Sequence, residues 1–178
     1  GLVDALAVVV EEFCNQKFLK EVSMVSREAR RELDGYNETD YPVEQVTANV
    51  LFERQAALHP DKIAVIAGGD TRTFRELNEN ANRIANYLLD IGLKTDGMVG
   101  VMMPRTADVY AVRQGIMKAG GAFVPIDPEY PDERISYILE DSGAAYVIMP
   151  KELISQRSRL VDRLTAKALS LEELLAEG

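Results

Sequence analysis

The sequence predicts an α/β fold, a mainly parallel sheet with helices on both faces, preceded by a helical tail and a linker. Apolar, β-rich runs recur at Lys62 to Ala67, Met98 to Met103, Ala122 to Ile126 and Ala145 to Met149. Helical patterns fill the gaps between the later runs, and crossovers of a dozen or more residues suit parallel pairing. A turn-rich stretch beginning at Asp34 separates this alternation from a shorter helical segment before it.

The elements follow in order. Leu2, Leu6, Val9, Val10 and Phe13 recur at helical spacing, with Asp4, Glu11 and Glu12 opposite, which predicts an amphipathic helix in need of a partner surface. Asn15 to Lys20 is polar, and Ser26 to Glu32 is a short, charged helical stretch, so neither supplies that surface. A start at Gly1 inside an apolar helical pattern reads as that of an excised piece. Gly35, Asn37, Thr39, Asp40 and Pro42 then give the chemistry of turns and extended linker. Helical spacing resumes through Val50, Leu51, Gln55 and Leu58 and ends at Pro60. These breaks place a tail at 1–33, a linker at 34–46 and the main domain at 47–178.

Lys62 to Ala67 reads as a strand, Gly68, Gly69 and Asp70 as a turn, and Thr71 to Thr73 as the return strand of a hairpin. Thr73 with Glu76 three residues later forms a capping box for a helix whose apolar face is Leu77, Ala81, Ile84, Ala85, Leu88 and Leu89. Gly92 ends that helix in the left-handed conformation. After the Met98 strand, Thr106 is expected to cap a helix carrying Val109, Val112 and Ile116, which Gly120 and Gly121 stop. Pro131 opens the next helix, with Asp132 and Glu133 in its first turn, and Gly143 closes it. The remainder, from Lys151, reads as helix, a short strand around Ala168 and Leu169, and a final helix.

Composition excludes several classes. With 47% hydrophobic and 28% charged residues in 178, there is enough apolar surface for a core. A net charge of −9, from 29 acidic and 20 basic residues, speaks against nucleic acid as a partner. No run approaches the ~20 apolar residues of a membrane span, and no signal peptide opens the chain. With Cys14 as the one cysteine, no disulfide can form within the chain, and a cytoplasmic setting is expected. Cys14, among Val8, Val9, Val10 and Phe13, is expected to pack as a small hydrophobe rather than to react.

Met117 to Asp127 reads MKAGGAFVPID and continues PEYPDERISYILEDSGA to Ala144. This resembles the second core motif of the adenylation domains of nonribosomal peptide synthetases, LKAGxAYVPIDPxYPxERI. Thr73 to Leu77, TFREL, followed by NENANRIANYL, resembles their first core motif. There Arg72 stands for the usual Leu, at a strand edge from which an Arg can extend into water. VGVMMPRT at Val99 to Thr106 resembles the strand between the motifs, and ARRELDGYNETDYPVEQ upstream resembles the linker from a condensation domain. The resemblance covers residues 23–150. It implies the N-terminal part of an adenylate-forming enzyme fold, with a condensation-domain tail at 1–33.

A parent of this family activates an amino acid with ATP and Mg to an aminoacyl adenylate and passes the acyl group to the phosphopantetheine thiol of a carrier domain. Its partners are the condensation, carrier and remaining adenylation portions of the same synthetase, and its amino-acid substrate. The family holds phosphates with a Ser/Thr/Gly-rich loop ending in Lys. GGDTRT at Gly68 is the nearest match here and lacks both the lysine and a helix-opening phosphate nest. No catalytic, cofactor-binding or metal residue is therefore assigned, and the segment alone is expected to be inactive. Gly120, Gly121, Pro125, Pro128 and Pro131 read as structural; Glu133 and Arg134 as a solvated first turn; and His59, without a carboxylate or nucleophile in view, as no general base. Two other readings stand beside this one: a segment of an acyl-CoA synthetase-like ligase, and a non-catalytic interaction module.

Overall fold

The computed structural model describes residues 2–15 and 25–178. Gln16 to Lys20 of the polar stretch, the start of the linker-like segment at Ser23, and the side chains of Leu2, Asp4 and Glu12 lie outside the described residues. The chain divides into two compact units, Gly1–Gln45 and Val46–Gly178.

In the first unit, α1 spans Leu2–Asn15 and α2 spans Arg27–Tyr36. Leu6, Val10 and Phe13 are exposed on α1, as expected of an apolar face awaiting a partner. Cys14 is exposed too, which corrects the expectation that it packs as a hydrophobe. Ser26 caps α2, its Oγ accepting from the Ala29 amide at 3.1 Å. The helix runs on past residue 33 to Tyr36, whose hydroxyl donates to Glu32 Oε1 at 3.0 Å, one turn back. Residues 38–47 then carry no regular structure.

The second unit begins with α3, Ala48–Leu58, and the hairpin of β1, Ile63–Ala67, and β2, Asp70–Thr73, which pair antiparallel. Thr73 opens α4, Phe74–Asp90, through the predicted capping box: Glu76 N donates to Thr73 Oγ1 at 3.2 Å, and Thr73 N donates back to Glu76 Oε2 at 2.8 Å. The alternation follows: β3 Met98–Met102, α5 Asp108–Lys118, β4 Ala122–Ile126, α6 Asp132–Ser142 and β5 Tyr146–Met149. The chain closes with α7 Lys151–Gln156, α8 Ser158–Val161, β6 Lys167–Ser170 and α9 Leu171–Glu177.

The four later strands form a parallel sheet in the order β4-β3-β5-β6, the fold class the sequence predicts. Strand alternation sends Val99, Val101 and Met103 to one face and Met102 to the other. On the first face Ile84, Leu88, Val112, Ile116 and Leu174 from α4, α5 and α9 complete a core. On the second, Ile135, Leu139 and Leu160 from α6 and α8 pack on Val147 and Met149. Helices on both faces explain the near-continuous burial of β3 and β5. Pro125 sits in β4, an outer strand of this sheet, where its missing amide donor costs least. Among the described residues no helix is long and apolar enough to cross a membrane.

One start differs from expectation. α5 begins at Asp108 with Ala107 at the N-cap, not at Thr106. Thr106 instead accepts from the Val109 amide through its backbone carbonyl at 3.3 Å, one tight turn before the helix. An acidic residue at the first helical position takes over the favourable end charge, and Arg72 accounts for its placement: Nη2 lies 3.3 Å from Asp108 Oδ1 and Nη1 2.6 Å from Asp70 Oδ1. Arg72, 26% exposed, thus clamps the hairpin to α5 rather than extending into water. Burial works against its charge, but the pull of Asp108 and Asp70 outweighs it and the guanidinium pKa is raised.

Candidate functional site

The topology singles out one end of the sheet. β3 turns toward β4 through α5 on one face, and its other neighbour β5 turns toward β6 through α7 and α8 on the opposite face, so the chain parts in opposite directions at the C-terminal ends of β3 and β5. Open parallel sheets present ligands at such a switch point. A crevice of about 850 Å³ lies at the same end of the sheet, between the ends of β3 and β4. One wall is Met103 to Thr106 with Val109, Tyr110 and Arg113 of α5; the other is Pro125 to Tyr130, the second half of the MKAGGAFVPIDPEYP segment.

Local chemistry shapes each wall. At the base of β4, Gly120 takes φ +80, and a Cβ on Gly121 would come within 2.9 Å of the Gly97 carbonyl oxygen and of Leu93 Cδ2. The expected helix stop and close backbone approach are both present. Beyond β4, Asp127 folds the loop back on itself: Oδ1 accepts from Glu129 N at 2.9 Å and the carbonyl from Tyr130 N at 3.1 Å. Arg157, far along the chain, donates from Nη1 to the Tyr130 carbonyl at 3.2 Å and to Asp132 Oδ1 at 2.7 Å, and from Nη2 to the Pro128 carbonyl at 2.5 Å. On the opposite wall the Arg113 guanidinium lies 5.1 Å from the centre of the Phe123 ring, a cation–π contact, while its buried Nε has no hydrogen-bond partner.

Among the described residues the crevice lining carries no lysine and no helix-opening glycine loop. The first turn of α5 carries Asp108, paired with Arg72, and that of α6 carries Asp132, paired with Arg157, and the exposed Glu133. Asp127 and Glu129 add negative charge to one wall, while Arg105 and Arg113 add positive charge to the other. Gly68 and Gly69, at φ +60 and +89, turn the β1-β2 hairpin and open no helix. Among the described residues no group of three His, Cys, Asp or Glu side chains is placed to hold a metal ion.

The remaining sequence candidates are scattered. His59 is exposed at the end of α3. Glu133 and Arg134 are exposed on α6, with the Arg134 guanidinium 5.5 Å from the Tyr137 ring centre. Sequence reading missed Lys118, whose ammonium donates to Glu53 Oε1 at 2.6 Å, Asn78 Oδ1 at 2.8 Å and Asn82 Oδ1 at 2.7 Å. All three ammonium donors are used, joining α3, α4 and α5. The signal was available: Asn78 and Asn82 stand one turn apart in the first motif, and Lys118 sits inside the second.

A parallel sheet with the second motif in one wall of a crevice at its C-terminal edge points to an enzyme class. The profile of the AMP-binding enzyme family matches residues 52–177, and the chain belongs to that family. More particularly, it matches the N-terminal part of the adenylation domain of nonribosomal peptide synthetases. It is 45% identical over 151 residues to Bacitracin synthase 3 of Bacillus licheniformis, covering 83% of this chain and 2% of that protein. It is 40% identical over 156 residues to Bacitracin synthase 1 of the same organism, covering 86% of this chain and 3% of the relative. Among solved structures, the nonribosomal peptide synthetase FmoA3 in its alpha-methyl-L-serine-AMP bound form matches with a TM-score of 0.81 and 32% identity, over 97% of this chain and 20% of that one. The chain thus spans a few hundredths of the length of the curated relatives it matches.

Proposed function

We propose that this segment serves a synthetase that activates an amino acid with ATP and Mg as its aminoacyl adenylate and loads it on the phosphopantetheine thiol of a carrier domain. Residues 47–178 are its part of the adenylation domain, 34–46 the linker and 1–33 the tail of a condensation domain. The condensation, carrier and remaining adenylation portions are its partners, and its setting is the cytoplasm. The observation that carries this reading is the folding of Met117 to Tyr130 into β4 and one crevice wall, within a stretch that matches the AMP-binding family. The crevice supplies a wall of the substrate region, and the phosphate-gripping groups come from chain other than these residues. By itself the segment forms no adenylate.

The test is a graft. The matching segment of a Bacitracin synthase 3 adenylation domain is replaced by residues 47–178, and amino-acid-dependent ATP–pyrophosphate exchange is measured. Exchange within about tenfold of the parent domain supports the reading; a soluble, folded graft without exchange refutes it.

A further inference from the structure

We propose that Arg157 is the positioning residue of the crevice: one guanidinium, from the turn between α7 and α8, fixes the loop that forms the wall beyond β4. The loop needs such a donor from outside. Pro128 and Pro131 have no amide hydrogen, and the local bonds to Asp127 use the amides of Glu129 and Tyr130 only. That leaves the carbonyls of Pro128 and Tyr130 to be met from elsewhere. Arg157 meets both, and its bond to the Asp132 carboxylate ties the same side chain to the first turn of α6.

The residue type is dictated by this geometry. Two of the acceptors are met from Nη1 and the third from Nη2, a split that the fork of a guanidinium provides and the single nitrogen of an ammonium does not. The pair with Asp132 is partly shielded, the Arg157 side chain being 23% exposed, so these charge-assisted bonds retain strength that a fully hydrated pair lacks. Arg163, whose Nη2 lies 4.0 Å from Asp132 Oδ2 and which is mostly exposed, is too distant to replace it. Losing Arg157 therefore releases the loop locally and leaves the two cores packed.

Hydrogen–deuterium exchange on the 178-residue chain tests this directly. In Arg157→Ala the amides of Glu129, Tyr130 and the first turn of α6 are expected to exchange about tenfold faster, while those of β3 and α4 stay unchanged. Arg157→Lys, keeping a charge near Asp132 but not both carbonyl bonds, is expected to fall between. Unchanged exchange in the loop overturns the proposal, as does a rise shared equally with β3 and α4. If the Ala variant does not fold, the Lys variant decides by the same criterion. What the fixed wall serves rests on the adenylation reading. In the graft, Arg157→Ala is expected to raise the KM for pyrophosphate exchange severalfold more than it lowers kcat, and kinetics equal to the unmutated graft would overturn that role. An unmutated graft that is itself silent speaks against the adenylation reading alone, and the loop exchange still decides the latch.

Discussion

Lys118 Nζ lies 2.8 Å from Asn78 Oδ1, across 40 residues, and joins the polar residues of two sequence motifs in one knot. The Lys118 side chain is 8% exposed, so its charge is held by Glu53, Asn78 and Asn82 in place of water. Lys118→Met keeps the stem and removes every one of these bonds, leaving part-buried Asn78 without its donor while the exposed Glu53 and Asn82 turn to water. It is expected to cost about 2–4 kcal/mol in urea unfolding, whereas Glu53→Gln, at a half-exposed partner, costs about 1 kcal/mol or less. Equal, small effects would mean that the knot adds nothing to the packing of α3, α4 and α5.

Thr73 and Glu76 satisfy two amides that α4 would otherwise leave open. Thr73→Ala should lower stability by about 1 kcal/mol, seen as a shift of the urea midpoint with an unchanged slope.

Gly115 marks where α5 meets α4 most closely. A Cβ there would fall 2.7 Å from Ile84 Cβ and 2.9 Å from the Ala81 carbonyl oxygen, both in the helix packed against it. Gly115→Ala is therefore expected to destabilise by about 1–3 kcal/mol despite the better helix propensity of alanine. Gly115→Ala with wild-type thermal stability would show that the two helices can part freely.

Acid should unfold the second unit partly through Glu172. Burial alone would raise its pKa, but the Ser170 hydroxyl at 2.7 Å, the Lys151 amide at 3.0 Å and the Lys151 charge hold the carboxylate below its ordinary range. A depressed carboxyl stabilises the fold fully above its unfolded value, about 4.3, and that contribution disappears as pH falls through the lower folded value. Glu76 adds to the same window, its pKa lowered first by the Thr73 amide and then by the Thr73 hydroxyl. Glu172→Gln should accordingly lose less stability than wild type between about pH 5 and 3, measured by urea midpoints at each pH. Parallel curves would remove Glu172 from the account.

Local signals were legible in the chain; distant partnerships were not. The Thr73 and Glu76 spacing, the stop at Gly143 and the apolar face from Leu77 to Leu88 depend on neighbours within a few residues and are found where the pattern puts them, while Leu89, expected on the same face, is exposed. The parallel sheet was readable because crossover length constrains pairing. Arg72 was misjudged because its partner Asp108 lies on another element, and the same ion pair accompanies a helix start two residues past Thr106. Cys14 sits among apolar neighbours in sequence that do not enclose it in space. The crevice was invisible for a further reason: its walls come from two strand ends made adjacent by the sheet order, and its loop is pinned by Arg157, which belongs to no motif.

The most direct measurement compares ATP–pyrophosphate exchange by the 178-residue chain alone with that of the grafted adenylation domain, at equal concentration and saturating amino acid. The graft should exchange, and the chain alone should not rise above background, because its crevice carries no lysine and no helix-opening glycine loop for phosphates. Exchange by the chain alone at a rate comparable to the graft would contradict the account.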